Sequence, residues 1–192
     1  MPNLPNDAGQ VLTATARQAI TERLRGYEVF RPGGEGPPPP ADLDWLNERG
    51  ASFVTLTIDG RLRGCIGSLE AWRWLGEDVR LNAVAAAFKD PRFLPLDPAE
   101  LDHLHIVVSV LTAPQPLEFD SEAEALAQLR PGVDGVVLQA GHHRATFLPQ
   151  VWEELPDKVE FMSHLKRKAR LSPDYWGPDV ELSVYQVEAF GE

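Results

Sequence analysis

The chain of 192 residues has little cysteine and few basic residues, and it lacks long apolar runs. Its one cysteine, Cys65, cannot form an intrachain disulfide or a cysteine-based zinc site. Lys and Arg number 18 against 29 Asp and Glu, and the net charge of −11 disfavours nucleic acid and anionic membranes. The sequence contains neither an apolar run long enough for a membrane span nor a signal-peptide pattern in residues 1–7. We therefore expect a globular, cytoplasmic protein without membrane or nucleic-acid partners.

Close pairs of histidines are also few. His103 and His105 form one pair, His142 and His143 the other, and neither comes with a third ligand at metal-binding spacing. Glycine motifs for phosphate, dinucleotides or a nucleophilic serine are lacking. The sequence accordingly predicts no metal site and no cofactor.

Length and hydrophobic patterning predict an α+β fold. A chain of 192 residues, with 43% hydrophobic residues, forms one domain, or one domain in two lobes of about 10–115 and 116–192. Periodicity and turn signals predict helices over 10–26, 74–88, 121–129 and 157–171, a helical turn over 97–100, and strands over 52–58, 61–69, 103–111, 133–140, 144–148 and 180–190. The proline-rich stretch 31–40 predicts a surface loop. Hairpin, helix and strand recur twice, which indicates two subdomains with mixed or antiparallel sheets flanked by helices.

The segment 62–69 (LRGCIGSL) is the first candidate site. Gly64 and Gly67 lie inside a predicted strand, where glycine marks a bulge or a close approach by another backbone or a ligand. Strand alternation places Arg63 and Cys65 on one face, with Leu62 and Ile66 on the other. A guanidinium beside a thiol favours the thiolate, as a nucleophile requires. Alternatively, Cys65 is a small buried hydrophobic residue.

The register of the hairpin decides between these alternatives. A two-residue turn at Asp59-Gly60 places Val54 opposite Cys65, on an apolar face. A three-residue turn with a bulge instead sets Thr55 against Cys65 and Thr57 against Arg63.

Two further groups of polar residues are candidates. Asn82 lies on the apolar stripe of the second helix, and Asp90 and Arg92 follow that helix. They form either a pocket facing the glycine-rich strand or a satisfied core asparagine beside a salt bridge. Gln150 is expected at a rim together with Trp152.

The fourth predicted helix carries the last candidates. His164 borders its core face, and the basic run 166–170 is expected on a solvated helix face, with anion binding as the alternative.

Several of these segments resemble the AMMECR domain family. The segments are LRGCIG at 62–67, Asn82, DPRF at 90–93, VSVL at 108–111, GVDG at 132–135, LPQVW at 148–152 and FMSHL at 161–165. They occur in the family's order and span about residues 10–190. The resemblance implies an α+β fold with two subdomains and a cleft lined by the hexapeptide 62–67.

The resemblance also implies partners, but it implies no particular reaction. Relatives in the AmmeMemoRadiSam system accompany a Memo-like protein of the dioxygenase fold and a radical SAM protein. Many relatives carry a cysteine at the position of Lys166 and a glycine at that of Arg170, so a two-thiol site is not expected here.

Two functions remain open at this stage. In the first, the chain is a binding module for a peptide, a small anionic ligand or the Memo-like partner, with Gly64 and Gly67 admitting a backbone. In the second, it is an enzyme in which Cys65 is the nucleophile and Arg63 and Arg92 hold an anionic substrate. Asn82 and Asp90 would orient these groups, and His164 would act as the base.

Overall fold

The computed structural model of the protein describes residues 4–27 and 41–192. The loop predicted at 31–40 lies outside these residues. The described helices are α1 (Ala8–Leu24), α2 (Leu75–Phe88), α3 (Glu122–Gln128), α4 (Val151–Glu154) and α5 (Lys158–Lys168), with 3-10 helices at Ala41–Asn47 and Pro98–His103. The strands are β1 (Arg49–Ile58), β2 (Arg61–Gly67), β3 (Arg73–Trp74), β4 (Leu104–Leu111), β5 (Gln115–Pro116), β6 (Gly135–Ala140), β7 (His143–Phe147), β8 (Val180–Tyr185) and β9 (Val187–Gly191).

The chain forms two compact units, and the first contains Met1–Leu111 and Glu188–Glu192. Its sheet has the order β2-β1-β4-β9, and the short β3 pairs with the start of β1. β1 runs antiparallel to β2, β3 and β4. Alternate residues of β1 and β4 point into a core shared with α1 and α2, formed by residues such as Leu12, Ile20, Val54, Leu56, Val79, Ile106 and Val108. This unit carries the hexapeptide in its edge strand β2.

The second unit is Thr112–Val187. Its antiparallel sheet has the order β5-β8-β6-β7. The apolar faces of α3 and α5 pack on this sheet in a separate core, which includes Leu126, Leu138, Phe161, Leu165 and Leu182. Helices combined with antiparallel sheets confirm the predicted α+β class.

The segment predicted as one strand over 180–190 is two strands, so that prediction was wrong. β8 ends at Tyr185 and belongs to the second sheet, whereas β9 begins at Val187 and belongs to the first. The exposed Gln186 separates them, and its backbone exchanges hydrogen bonds with Thr112. The sequence does not reveal this change of sheet, because the residues of β8 and those of β9 both have high strand propensity and follow one another almost without a break.

Two side chains of the second unit are buried against expectation. Trp152 stacks on Phe161 with ring centroids 3.6 Å apart, and its indole N–H donates to the Asp134 carbonyl at 2.7 Å. Trp152 is therefore a core residue and lies at no rim. The side chain of Lys166 is 2% exposed and donates hydrogen bonds to Glu122 at 2.6 Å and to the Pro173 carbonyl. Lys166 therefore does not lie on the solvated helix face that was predicted for the basic run 166–170. Both side chains are buried because partners distant in sequence satisfy their polar atoms.

Candidate functional site

The β1–β2 hairpin has a two-residue turn followed by a bulge. Asp59 and Gly60 adopt φ values of 50° and 74°, which the tight hairpin turn requires. Ile58 pairs with Arg61 and Thr57 with Leu62, but Leu56 then pairs with Gly64. Arg63 is thus the extra residue of the bulge.

The bulge combines parts of the two predicted registers. Thr55 lies opposite Cys65, as the bulged alternative required, although the turn itself has two residues. Leu62 shares the face of Cys65, and Ile66 faces the core opposite Val54. The expectation that Leu62 and Ile66 share a face was therefore wrong, because a bulge interrupts strand alternation. The half-buried Cys65 places its Sγ 3.3 Å from the Thr55 hydroxyl.

The two glycines of the hexapeptide allow close internal packing. A Cβ on Gly64 would lie 2.1 Å from the Ala86 carbonyl oxygen of α2. A Cβ on Gly67 would lie 2.1 Å from the Phe53 ring. The backbone that approaches Gly64 is therefore the protein's own.

Arg63 is held by an acidic residue of the 3-10 helix Pro98–His103. Its Nε and Nη2 donate to the two carboxylate oxygens of Glu100 at 2.8 and 2.9 Å, and its side chain is 15% exposed. These hydrogen bonds raise the pKa of Arg63 and lower that of Glu100. The same Glu100 carboxylate accepts from the Asp97 backbone and completes a capping box. Arg63 is consequently a structural partner of Glu100 in this geometry.

Asp90 and Arg92 bind the backbone of Cys65. The buried Asp90 carboxylate accepts from the Cys65 N–H at 2.9 Å and from Arg92 Nε and Nη2 at 2.9 and 2.7 Å. Arg92 Nη2 in turn lies 3.4 Å from the Cys65 carbonyl. The hydrogen bonds from Arg92 hold the pKa of Asp90 well below its usual range. Two side chains thus occupy the backbone groups that an additional strand would use.

We call residues 90–100 the edge strap, since they lie along the edge strand β2. Asp90 and Arg92 bind Cys65 at one end, and Glu100 binds Arg63 at the other. Phe93 lies between, with its ring centroid 5.9 Å from the Arg63 guanidinium and 5.5 Å from that of Arg92. The edge strap therefore fixes the bulge and the cysteine relative to α2.

Asn82 belongs to a buried network that the sequence analysis found only in part. Its amide donates to the Ser52 carbonyl at 2.9 Å and to Asp78 at 2.8 Å. Asp78, which is 1% exposed, also accepts from the Ser52 backbone and hydroxyl and from the Ser68 hydroxyl. Asp78 lies one turn before Asn82 on the same face of α2, and this spacing could have identified it. The network joins β1, α2 and the end of the hexapeptide.

Gln150 and His164 lie in the second unit. Gln150 is exposed and precedes α4, which begins at Val151. His164 is half-buried in α5, with Nδ1 3.0 Å from the Glu160 carbonyl. The contacts described for His164 are local to its helix and give it no catalytic partner.

Neither a metal centre nor a membrane span is found in the described part of the chain. Groups of three or more His, Cys, Asp or Glu residues arranged to hold a metal are absent from residues 4–27 and 41–192. No helix within those two ranges is long and apolar enough to cross a membrane.

Comparison with known proteins identifies relatives over nearly the whole length. The family model AMMECR1 matches residues 13–190. A protein of Methanothermobacter thermautotrophicus is 41% identical over 98% of this chain and 96% of its own, and one of Methanopyrus kandleri is 39% identical over 97% and 89%. The crystal structure of the uncharacterized protein PH0010 from Pyrococcus horikoshii matches with a TM-score of 0.79 and 33% identity, covering 98% of this chain and 93% of the other.

Proposed function

The chain belongs to the AMMECR1 family, and we propose that it is a ligand- or partner-binding module whose binding surface includes the strand of Cys65. The observation that carries the proposal is the pairing of the charged groups around this cysteine. Arg63 is bonded to Glu100 and Arg92 to Asp90, so each guanidinium already has a carboxylate. The bidentate carboxylates occupy Nε and Nη2 of each arginine, which leaves chiefly Nη1 of either guanidinium for an anionic substrate.

The surface itself is a half-exposed sheet face. Thr55, Thr57 and Cys65 are partly accessible on it, and the side chain of Leu62 is 43% exposed. The edge strap holds this strand in one geometry, so binding would require little ordering of the backbone. A rigid, mixed polar and apolar face suits a protein or peptide partner.

The resemblance supplies the partner to be tested first. We propose a Memo-like protein of the dioxygenase fold, working with a radical SAM protein, as the macromolecular partner. A small anionic ligand or a peptide tail is the corresponding small partner. Net charge argues against nucleic acid, and we propose a cytoplasmic location and no cofactor.

The test is a calorimetric titration of this chain with a purified Memo-like protein of the dioxygenase fold. We expect Leu62→Glu to weaken binding about tenfold or more, because a charge would be buried at the interface. Cys65→Ala should bind nearly as the wild type does, and Val159→Glu provides an exposed apolar-to-acidic control in α5. Wild-type affinity of Leu62→Glu, or no measurable binding by the wild-type protein, would count against this surface.

One observation favours the alternative of a Cys65 enzyme. Arg92, rather than Arg63, contacts Cys65, since its Nη2 lies 3.4 Å from the Cys65 carbonyl. An enzyme would therefore use Cys65 as nucleophile and Arg92 to hold an anionic substrate, with Arg63 as a second anchor.

Alkylation by iodoacetamide at neutral pH separates the two functions. If the protein is a binding module, Cys65 should react no faster than glutathione. Arg92→Ala should then change the rate only by altering how easily iodoacetamide reaches the thiol. A rate far above that of glutathione that falls in Arg92→Ala would count against the binding-module proposal and favour the enzymatic alternative.

A further inference from the structure

The segment that follows the hexapeptide exposes three large apolar side chains. Leu69, Trp72 and Trp74 are 40%, 70% and 49% exposed and lie within six residues. Tryptophan is usually well buried, and an exposed group of this kind marks interaction sites. We call Leu69, Trp72, Trp74 and the adjacent Arg49 the tryptophan surface.

The backbone beneath the tryptophan surface is firmly held. Arg73 and Trp74 pair with Gly50 and Arg49 as strand β3, and the Leu75 N–H donates to the Glu48 carbonyl at 2.8 Å. Two side chains anchor the segment to the buried Asp78: the Ser68 hydroxyl at 2.7 Å and Arg73 at 3.4 Å. The exposed rings are therefore displayed on an ordered backbone, which lowers the entropic cost of binding through them.

Arg49 adds a positive charge to the aromatic surface. Its guanidinium lies 5.0 Å from the centre of the Trp74 ring and donates to the Trp72 carbonyl. Among the ion pairs of the described residues, none joins Arg49 to a carboxylate. A guanidinium stacked on an indole presents its N–H groups at the ring edge, where a carboxylate can accept two of them.

We propose that the tryptophan surface docks an extended segment of a partner protein in which a bulky apolar residue is flanked by carboxylates. The apolar residue would pack on Trp72 and Trp74. Tryptophan side chains often contribute most of the binding energy at protein interfaces. The flanking carboxylate would pair with Arg49. This surface uses none of the residues around Cys65, so the inference stands apart from the proposed function.

A second copy of this chain fits the surface less well. A two-fold contact through this surface would bring two Arg49 side chains together, and their like charges repel. Self-association through the tryptophan surface would overturn the proposal.

The test uses two fluorescein-labelled peptides, Asp-Asp-Leu-Phe-Asp-Asp and Lys-Lys-Leu-Phe-Lys-Lys, and fluorescence polarisation with the full chain. We expect the acidic peptide to bind and the basic one not to bind. Trp72→Ala should weaken binding of the acidic peptide about tenfold or more. Arg49→Gln should weaken it less, and Arg49→Glu should reverse the preference between the two peptides.

Two controls keep the result interpretable. Leu94→Ala removes an 83% exposed apolar side chain outside the surface and should leave both peptides unaffected. Circular dichroism and sedimentation equilibrium should show the same fold and mass for every variant. Equal binding of the two peptides, no binding of either, wild-type binding by Trp72→Ala, or a wild-type dimer that Trp72→Ala dissociates would each overturn the proposal. Cys65→Ala should leave peptide binding unchanged, so failure here is distinct from failure of the Cys65 surface.

Discussion

Gly64 is required by the packing of β2 on α2. A Cβ at this position would lie 2.1 Å from the Ala86 carbonyl oxygen and 3.0 Å from its carbonyl carbon. Both atoms belong to the helix backbone, which cannot move aside as the end of a flexible side chain can. The glycine that suggested a ligand approach in the sequence therefore has an internal cause.

We predict that Gly64→Ala destabilises the protein by about 3 kcal/mol or more, because the overpacked strand and helix must separate. Urea unfolding followed by circular dichroism measures the change. Gly191→Ala is the matched control, since its Cβ would find its nearest neighbours at an ordinary 3.6 Å. A loss of stability equal in the two variants would show that packing against Ala86 is not the reason.

The amide of Asn82 is a donor that the buried network needs. Asn82→Ala would leave the Ser52 carbonyl without that donor and remove one of the donors to the Asp78 carboxylate. We predict a loss of about 1–3 kcal/mol in the free energy of unfolding, the cost of leaving buried polar groups unsatisfied. The same substitution at the exposed Asn47 should change stability by less than about 0.5 kcal/mol. Equal effects at the two positions would contradict the structural role of the network.

Among the secondary-structure elements, the edge strap covers the free edge of strand β2. β2 ends the order of its sheet, and the N–H and carbonyl of Cys65 contact side chains rather than a further strand. Asp90 and Arg92 take up these groups in place of a further strand. Covering an edge with a charged segment prevents pairing with other chains, which unprotected edges invite.

The ion pair of Asp90 makes a prediction about acid stability. Because Arg92 lowers the pKa of Asp90 in the folded state, the stabilisation is complete above the ordinary aspartate pKa of about 4 and is lost as the pH falls below it. The wild-type free energy of unfolding should therefore fall from about pH 4 downwards more steeply than that of Asp90→Asn. Urea titrations at successive pH values measure both slopes. Parallel slopes for the two proteins would show that Asp90 contributes nothing to acid unfolding.

At the scale of the whole molecule, each unit has its own core. The apolar residues of the first unit come from α1, α2, β1 and β4, and those of the second from α3, α5, β6 and β8. Lys166 fastens α5 to α3 through Glu122, and its Nζ lies 5.2 Å from the centre of the Trp176 ring. In the second core a buried cation therefore stands where the AMMECR resemblance leads one to expect a cysteine.

We predict that Lys166→Ala lowers the free energy of unfolding by about 2–4 kcal/mol, through a lost buried ion pair and lost packing of the side-chain stem. Amide hydrogen exchange should accelerate in α3 and α5 before it changes in α2. Lys166→Met, which keeps most of the stem, should lose less, and the exposed Lys89→Ala should change little. Faster exchange in α2 alone would contradict the assignment of Lys166 to the second core.

Hydrophobic spacing and turn residues in the sequence were sufficient to predict most helices and strands of the fold. The Asp59-Gly60 hairpin, the helix that ends before Pro91 and the strand over 103–111 all depend on local signals, namely turn residues and hydrophobic spacing. The candidate site was predicted only as a list of residues. The bulge at Arg63 shifts the register by one position, and no local signal separates Arg63 paired with Glu100 from Arg63 facing a ligand.

By itself the sequence determined the family, the α+β class, the single cysteine and the excess of acidic over basic residues. Composition, spacing and motifs are properties of the chain before it folds. Tertiary structure alone decided that Arg63 and Arg92 neutralise carboxylates, that Trp152 and Lys166 are buried, and that Trp72 and Trp74 are exposed. These outcomes depend on contacts between residues far apart in the chain, such as Arg63 with Glu100 and Lys166 with Glu122. Burial and pairing are energies of such contacts, and they exist only once the chain has folded.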